Sequence, residues 1–227
     1  LYAQPLMDIG PLVQTTAIDA LPVLFAITLH EGAHGYVARN FGDMTAYAQG
    51  RISLNPARHI DLVGTIVVPV AILVLTKLAG GAGMLFGWAK PVPVNYSALR
   101  RPRQHMIWVA AAGPGANLAM ALAWAAIFKL ADVLPANYFT QPMLLMARAG
   151  IEVNVILMIL NLLPILPLDG GRIVASLLPG RIARRYAMLE PWGFPILLVL
   201  LFTSALGVIL APLVSFSFRV IGTVFQI

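Results

Sequence analysis

Five stretches of this chain are apolar over the length that a helix needs to cross a bilayer: about 17–41, 62–78, 104–131, 141–163 and 191–227. Spanning a hydrocarbon core of roughly 30 Å takes about 20 such residues in helical form. Composition points the same way. Apolar residues make up 59% of the 227, and the 19 glycines raise that to roughly two thirds; a soluble domain reaches about 45–50% on that tally. Only 11% are charged. Disorder, a coiled coil and an ordinary water-soluble globule are excluded, and the expected class is an all-α polytopic membrane protein. One membrane-embedded domain is expected over 1–227, with a core of about 17–180 and a C-terminal helical segment, 190–227. Pro195, Gly207 and Pro212 predict a break in that last segment. The opening residues lack the pattern of a removable signal peptide. With no cysteine in the chain, disulfides, thiolate metal sites and cysteine nucleophiles are all ruled out.

The basic residues bear on topology. If every apolar stretch crossed fully, the loops 39–61 and 81–103 would lie on opposite sides, splitting their positive charge. If instead 62–80 dips into the membrane and an extended piece 81–95 returns, both loops share a side with the segment 172–190. That arrangement puts 11 of the 15 Lys and Arg on one face, which the positive-inside rule makes cytoplasmic. Pro69, Lys77 and the turn Gly80-Gly81-Ala82-Gly83 suit a re-entrant excursion. The net charge of +6 is thus a topology signal, and no nucleic-acid partner is expected. The expected location is a multi-pass protein of the plasma membrane with cytoplasmic basic loops.

The polar residues of the first apolar stretch carry the chemistry. Leu29-His30-Glu31-Gly32-Ala33-His34-Gly35 is an H-E-x-x-H motif. Residues four apart share a helix face one turn apart. Two imidazoles so placed can grip one zinc ion, with the intervening glutamate serving as a base. Ionisable groups at membrane depth are costly and usually mark function. A hydrolytic zinc site commonly has three protein ligands, so one is missing. Most acidic residues fall in loops or at membrane edges, and Asp19 lies about three turns from His30. Asp169 differs: it ends the apolar run from Asn161, broken by Pro164 and Pro167, and is followed by two glycines. That residue is either an ion ligand on a broken helix or the cap of the short segment 170–178.

With these elements the chain resembles the site-2 protease family, the zinc-dependent intramembrane metalloproteases. Its H-E-x-x-H stands as His30–His34. Its N-x-x-P-x-x-x-L-D-G stands as Asn161, Pro164, Leu168, Asp169 and Gly170, and a G-x-x-x-N element as Gly113–Asn117. The stretches Asn55–Asp61 and Gly87–Asn95 look like the compact branch, without a PDZ or CBS module. The resemblance covers roughly 17–180. It implies a site-2 protease-like helical core with a re-entrant or extended β segment. It also implies one zinc per chain held by His30, His34 and Asp169, Glu31 as general base and then acid, and Asn161 and Asn117 as partners of the substrate backbone or oxyanion. The implied substrate is a transmembrane protein in the lipid bilayer.

The remaining polar features have plainer readings. His59 and His105 are expected to be structural, and the tryptophans Trp88, Trp108, Trp124 and Trp192 are expected at membrane interfaces. Thr45–Leu54 alternates enough for a short strand, which with the extended Val92–Val94 would offer an edge to an unwound substrate. Two rival functions are a metal-ion transporter and an inactive membrane scaffold. Transport calls for a relay of ligands, and a scaffold has no need of Glu31.

Overall fold

A computed structural model describes the backbone of residues 10–59, 61–68, 70–72, 74 and 90–227. Its principal elements are the helices α1 (Gly10–Asn40), α2 (Thr45–Ala48), α3 (Pro102–Val133), α4 (Thr140–Asn161), α5 (Asp169–Leu177), α6 (Gly180–Ala187), α7 (Glu190–Phe202) and α8 (Ala205–Phe225). Between α2 and α3 lie two single 3-10 turns, Pro56–Arg58 and Tyr96–Ala98, and a π-helical turn, Leu62–Val67. Among the described residues, α3, α4 and α8 are long and apolar enough to cross a membrane. The pair α6 and α7, bent by 58°, would make a fourth span if taken together. The first apolar stretch folds into α1, which carries Asp19, His30, Glu31 and His34.

Contacts divide the chain into two units, one holding Ile27–Gly113 and the other the residues up to Ala26 with Pro114–Ile227. In the first, Ala38, Leu99, Met106 and Val109 form the buried core, with Val37, Phe41 and Val94 packed against them. Asparagine and aspartate side chains start its short turns. Asn55 accepts from Ala57 N, Asp61 from Gly64 N and Asn95 from Ser97 N, so each offers the backbone a local alternative to a ladder. Gly42, at φ 109°, reverses the chain after α1.

In the second unit α4 and α7 pack on α8, and α5 packs on α6. Its core joins Ala121, Ala125, Ile151, Val155, Ile159 and Ile221, with Trp124 and Phe128 against it. Small residues let membrane helices approach closely. The predicted break in the C-terminal segment is present, but at Thr203–Ser204. Ser204 adopts φ 61°, Thr203 Oγ1 donates to the Val199 carbonyl, and Pro195 and Pro212 stand inside helices. Trp108 and Trp192 are exposed as expected of anchors. Trp124 belongs to the core, and Trp88 lies outside the described residues.

The expected β segment is corrected. No strand occurs among the described residues. Thr45–Leu54 starts with α2, where the Asp43 carboxylate accepts from Thr45 N and Ala46 is fully buried. Val92–Val94 forms no strand among the described residues, for a physical reason. Pro91 and Pro93 have no N–H to give, Lys90 N donates to the His59 carbonyl, and Val92 N and Asn95 N donate to carboxylates. The turn of the expected re-entrant excursion lies outside the described residues.

Backbone proximity in the larger unit gives a stability test. A Cβ on Gly193 would stand 1.5 Å from the Leu166 carbonyl oxygen, whereas one on Gly207 meets nothing within 4 Å. Gly193→Ala should therefore destabilise by at least about 1–3 kcal/mol, as overpacking does. Gly207→Ala should be neutral or stabilising, since alanine favours a helix interior. Thermal unfolding of the two variants in detergent makes the comparison.

Candidate metal centre

The helical register of α1 delivers the first two expected donors together. His30 and His34 are both buried, their rings edge-on at 4.7 Å between centroids, and their Nε2 atoms lie 3.1 Å apart. The His34 Nδ1 lies 2.7 Å from the Val109 carbonyl oxygen of α3. A carbonyl can only accept, so Nδ1 carries the hydrogen and Nε2 offers its lone pair. This outer contact is the kind that fixes ring orientation in metal-binding histidines. Tetrahedral zinc with bonds of about 2.0–2.1 Å sets two ligand nitrogens about 3.3 Å apart, close to the observed separation.

Gly113 of α3 leaves the space that such an ion requires. A Cβ there would stand 2.4 Å from His34 Nε2 and 2.6 Å from His30 Nε2. Its neighbour Pro114 has no N–H for the Ala110 carbonyl, which loosens this turn of α3. Glu31, between the histidines, is half-buried, and its Oε2 accepts the Val92 N–H at 2.7 Å.

In the other unit α4 ends at Asn161, and after the proline-broken run α5 begins at Asp169, which is buried. The glycines after Asp169 are required by space. A Cβ on Gly170 would stand 2.2 Å from the Leu162 carbonyl oxygen, and one on Gly171 2.5 Å from Leu166 N. This folds the start of α5 tightly back on the broken segment. Tyr186 of α6 donates to the Pro164 carbonyl at 2.8 Å. Asp169 is thus a buried oxygen donor of a type that zinc accepts, as imidazole nitrogens are.

The two asparagines are placed differently. Asn161 donates to the Leu157 carbonyl of its own helix at 2.9 Å. Asn117 is fully buried, and its Nδ2 donates to Asn154 Oδ1 at 2.9 Å and to the Ala26 carbonyl at 3.4 Å. Asn154, which in turn donates to the Gly150 carbonyl, was not singled out by sequence reasoning. The signal was available: it stands seven residues before Asn161, two turns earlier on the same helix. His59 is buried against the Ser53 carbonyl, and His105 stacks on Phe41 at 4.1 Å, so both have the structural surroundings expected of them.

The cradle at Gly113 can be tested directly. Gly113→Ala should weaken zinc retention by about tenfold or more, within the range for disturbed outer-shell contacts. Gly115→Ala, whose Cβ would meet nothing within 4 Å, should retain wild-type zinc. Metal content after dialysis against graded chelator separates the two.

Comparison with known proteins gives the family of the chain. The description "Peptidase family M50" matches residues 127–203. The chain is 36% identical over 203 residues to "Putative zinc metalloprotease YwhC" of Bacillus subtilis (strain 168), covering 86% of this chain and 84% of that protein. It is 32% identical over 188 residues to "Putative zinc metalloprotease Rip2" of Mycolicibacterium smegmatis, covering 81% and 66% respectively. A protein of the same printed name from Mycobacterium tuberculosis is 28% identical over 208 residues, covering 90% and 72%. No solved structure matches the chain. With apolar helices, buried zinc-type donors and a relative aligned over most of both chains, the protein belongs to peptidase family M50, the site-2 proteases.

Proposed function

We propose that this chain is an intramembrane zinc metalloendopeptidase, hydrolysing peptide bonds within or near the transmembrane segments of membrane-protein substrates. One zinc per chain is held by His30, His34 and Asp169, with Glu31 as general base and then acid. The observation that carries this reading is the pair of Nε2 atoms 3.1 Å apart beside Gly113, with a glutamate one residue from the first histidine. Family membership favours a metalloprotease over the transporter and scaffold readings.

Bound zinc would supply a Lewis acid for the scissile carbonyl and acidify water to a pKa of about 7. Glu31 takes the proton from the attacking water and passes it to the leaving amine. The Val92 N–H occupies one carboxylate oxygen, which holds the carboxylate's orientation while the other oxygen serves the proton. Asn161 and Asn117 are the proposed polar partners of the substrate backbone or the oxyanion; Asn117, whose two N–H groups go to Asn154 and the Ala26 carbonyl, would have to exchange one of them to serve the oxyanion. A substrate helix hides its carbonyls in its own hydrogen bonds, so helix-breaking residues near the scissile bond lower the cost of exposing them.

The proposed location is the plasma membrane, with the basic loops 40–61, 84–103 and 172–190 on the cytoplasmic face, as the positive-inside rule favours. The absence of native cysteine permits a direct check. Single cysteines at Ser53, Ser97 and Ala187 should all react with an impermeant thiol reagent from the cytoplasmic side only. Reaction of Ser97→Cys alone from outside would contradict this topology.

The chemical test replaces the base. Glu31→Gln keeps size and an acceptor for Val92 but cannot take a proton. Zinc should be retained, and cleavage of a model single-span substrate should fall by about 10² to 10⁴. His34→Ala and Asp169→Ala should each lose zinc. Wild-type cleavage by Glu31→Gln would refute the mechanism.

A further inference from the structure

We infer that Arg51 is a positioning residue for Glu31, acting through the single peptide unit Pro91–Val92. The inference rests on the proposed role of Glu31 as base. Arg51 is buried at 9% exposure, and among the described residues no carboxylate pairs with it. A buried guanidinium without partners is costly, and this one turns to backbone. Its Nη2 donates to the Lys90 carbonyl at 2.8 Å and to the Pro91 carbonyl at 3.3 Å. The Pro91 carbonyl and the Val92 N–H are opposite ends of one planar peptide unit. A cation donates to its oxygen end, and its N–H end donates to Glu31 Oε2 at 2.7 Å.

Two consequences follow. Positive charge at the carbonyl polarises the peptide and strengthens its N–H as a donor, because hydrogen bonds in a chain reinforce one another in a low dielectric. The segment is also fixed in place, because Lys90 N donates to the carbonyl of buried His59 and Asn95 N to Asp43 Oδ2. Pro91 and Pro93 leave Val92 as the one N–H donor between them, so no neighbouring amide can substitute for it. The Val92 side chain also lies against α1. A Cβ on Gly35 would stand 3.2 Å from Val92 Cγ1 and 2.9 Å from Ile52 Cγ1, the side chain next to Arg51. Arg51 thus joins the 90–92 segment to the helix that carries Glu31, without touching the reacting atoms itself.

The test uses the full chain in detergent or nanodiscs, with Arg51→Ala and Arg51→Lys made in wild-type and Glu31→Gln backgrounds. Arg51→Ala should lower kcat by about 10- to 100-fold, the scale of a misplaced catalytic group, while KM stays within about twofold and zinc content is unchanged. Arg51→Lys keeps the charge without the fork and should recover part of the loss; should Arg51→Ala fail to fold, it carries the comparison alone. In the Glu31→Gln background neither variant should cost further activity, because both act on one step. Hydrogen exchange gives a readout independent of cleavage. A peptide covering 90–95 contains two prolines, and its Val92 amide should exchange faster in both Arg51 variants. The base and the clamp fail separately. A fully active Glu31→Gln protein refutes the base, and unchanged Val92 exchange in the Arg51 variants refutes the clamp. Equal fold losses in both backgrounds would also overturn the inference.

Discussion

The hydrogen bond from His34 Nδ1 to the Val109 carbonyl is the contact on which the geometry of the histidine pair depends. It ties α1 to α3 and fixes which nitrogen of His34 bears the proton. It also aims Nε2 toward His30, and the ring it orients lies against the space opened by Gly113. A ring free to rotate or change tautomer would present a hydrogen where a lone pair is needed. The orientation of the histidine pair on α1 thus depends on a backbone carbonyl 75 residues away.

Several buried polar groups elsewhere in the chain are held by specific partners. Asn117, Asn154 and the Gly150 carbonyl form a chain of hydrogen bonds in the larger unit. Asp43, fully buried, accepts from Thr45 N and Asn95 N. Arg51 holds two carbonyls. In an apolar setting an unmade hydrogen bond costs far more than a made one contributes. That asymmetry explains how the backbone around Val92 is held without a sheet: carboxylates accept the Val92 and Asn95 N–H groups, as a strand would otherwise do.

Much of this was legible in the sequence. Helix length and apolar runs located α1, α3 and α4, and the four-residue spacing of His30 and His34 required only helical periodicity. Asp169 stood out because prolines and glycines broke an apolar run around it. What escaped was set by tertiary partners. The weak alternation of Thr45–Leu54 suggested a strand, yet the Asp43 carboxylate and the burial of Ala46 favour a helical turn there. The C-terminal break was assigned to prolines and a glycine, but it came at Ser204, where Thr203 satisfies a carbonyl of the preceding turn. The Val92–Glu31 bond joins residues 61 apart, and no local pattern announces it.

Membership of peptidase family M50 makes the chain a zinc-type metalloprotease with membrane helices, and the identity of the zinc ligands is the central claim beyond that. X-ray absorption at the zinc edge of the purified full chain tests it most directly. A four-coordinate shell of nitrogen and oxygen near 2.0–2.1 Å is expected, with outer-shell scattering from two imidazoles, and His30→Ala protein should hold no stoichiometric zinc. A spectrum fitted by one imidazole or none in the wild-type protein, or by a six-coordinate oxygen shell, would contradict it.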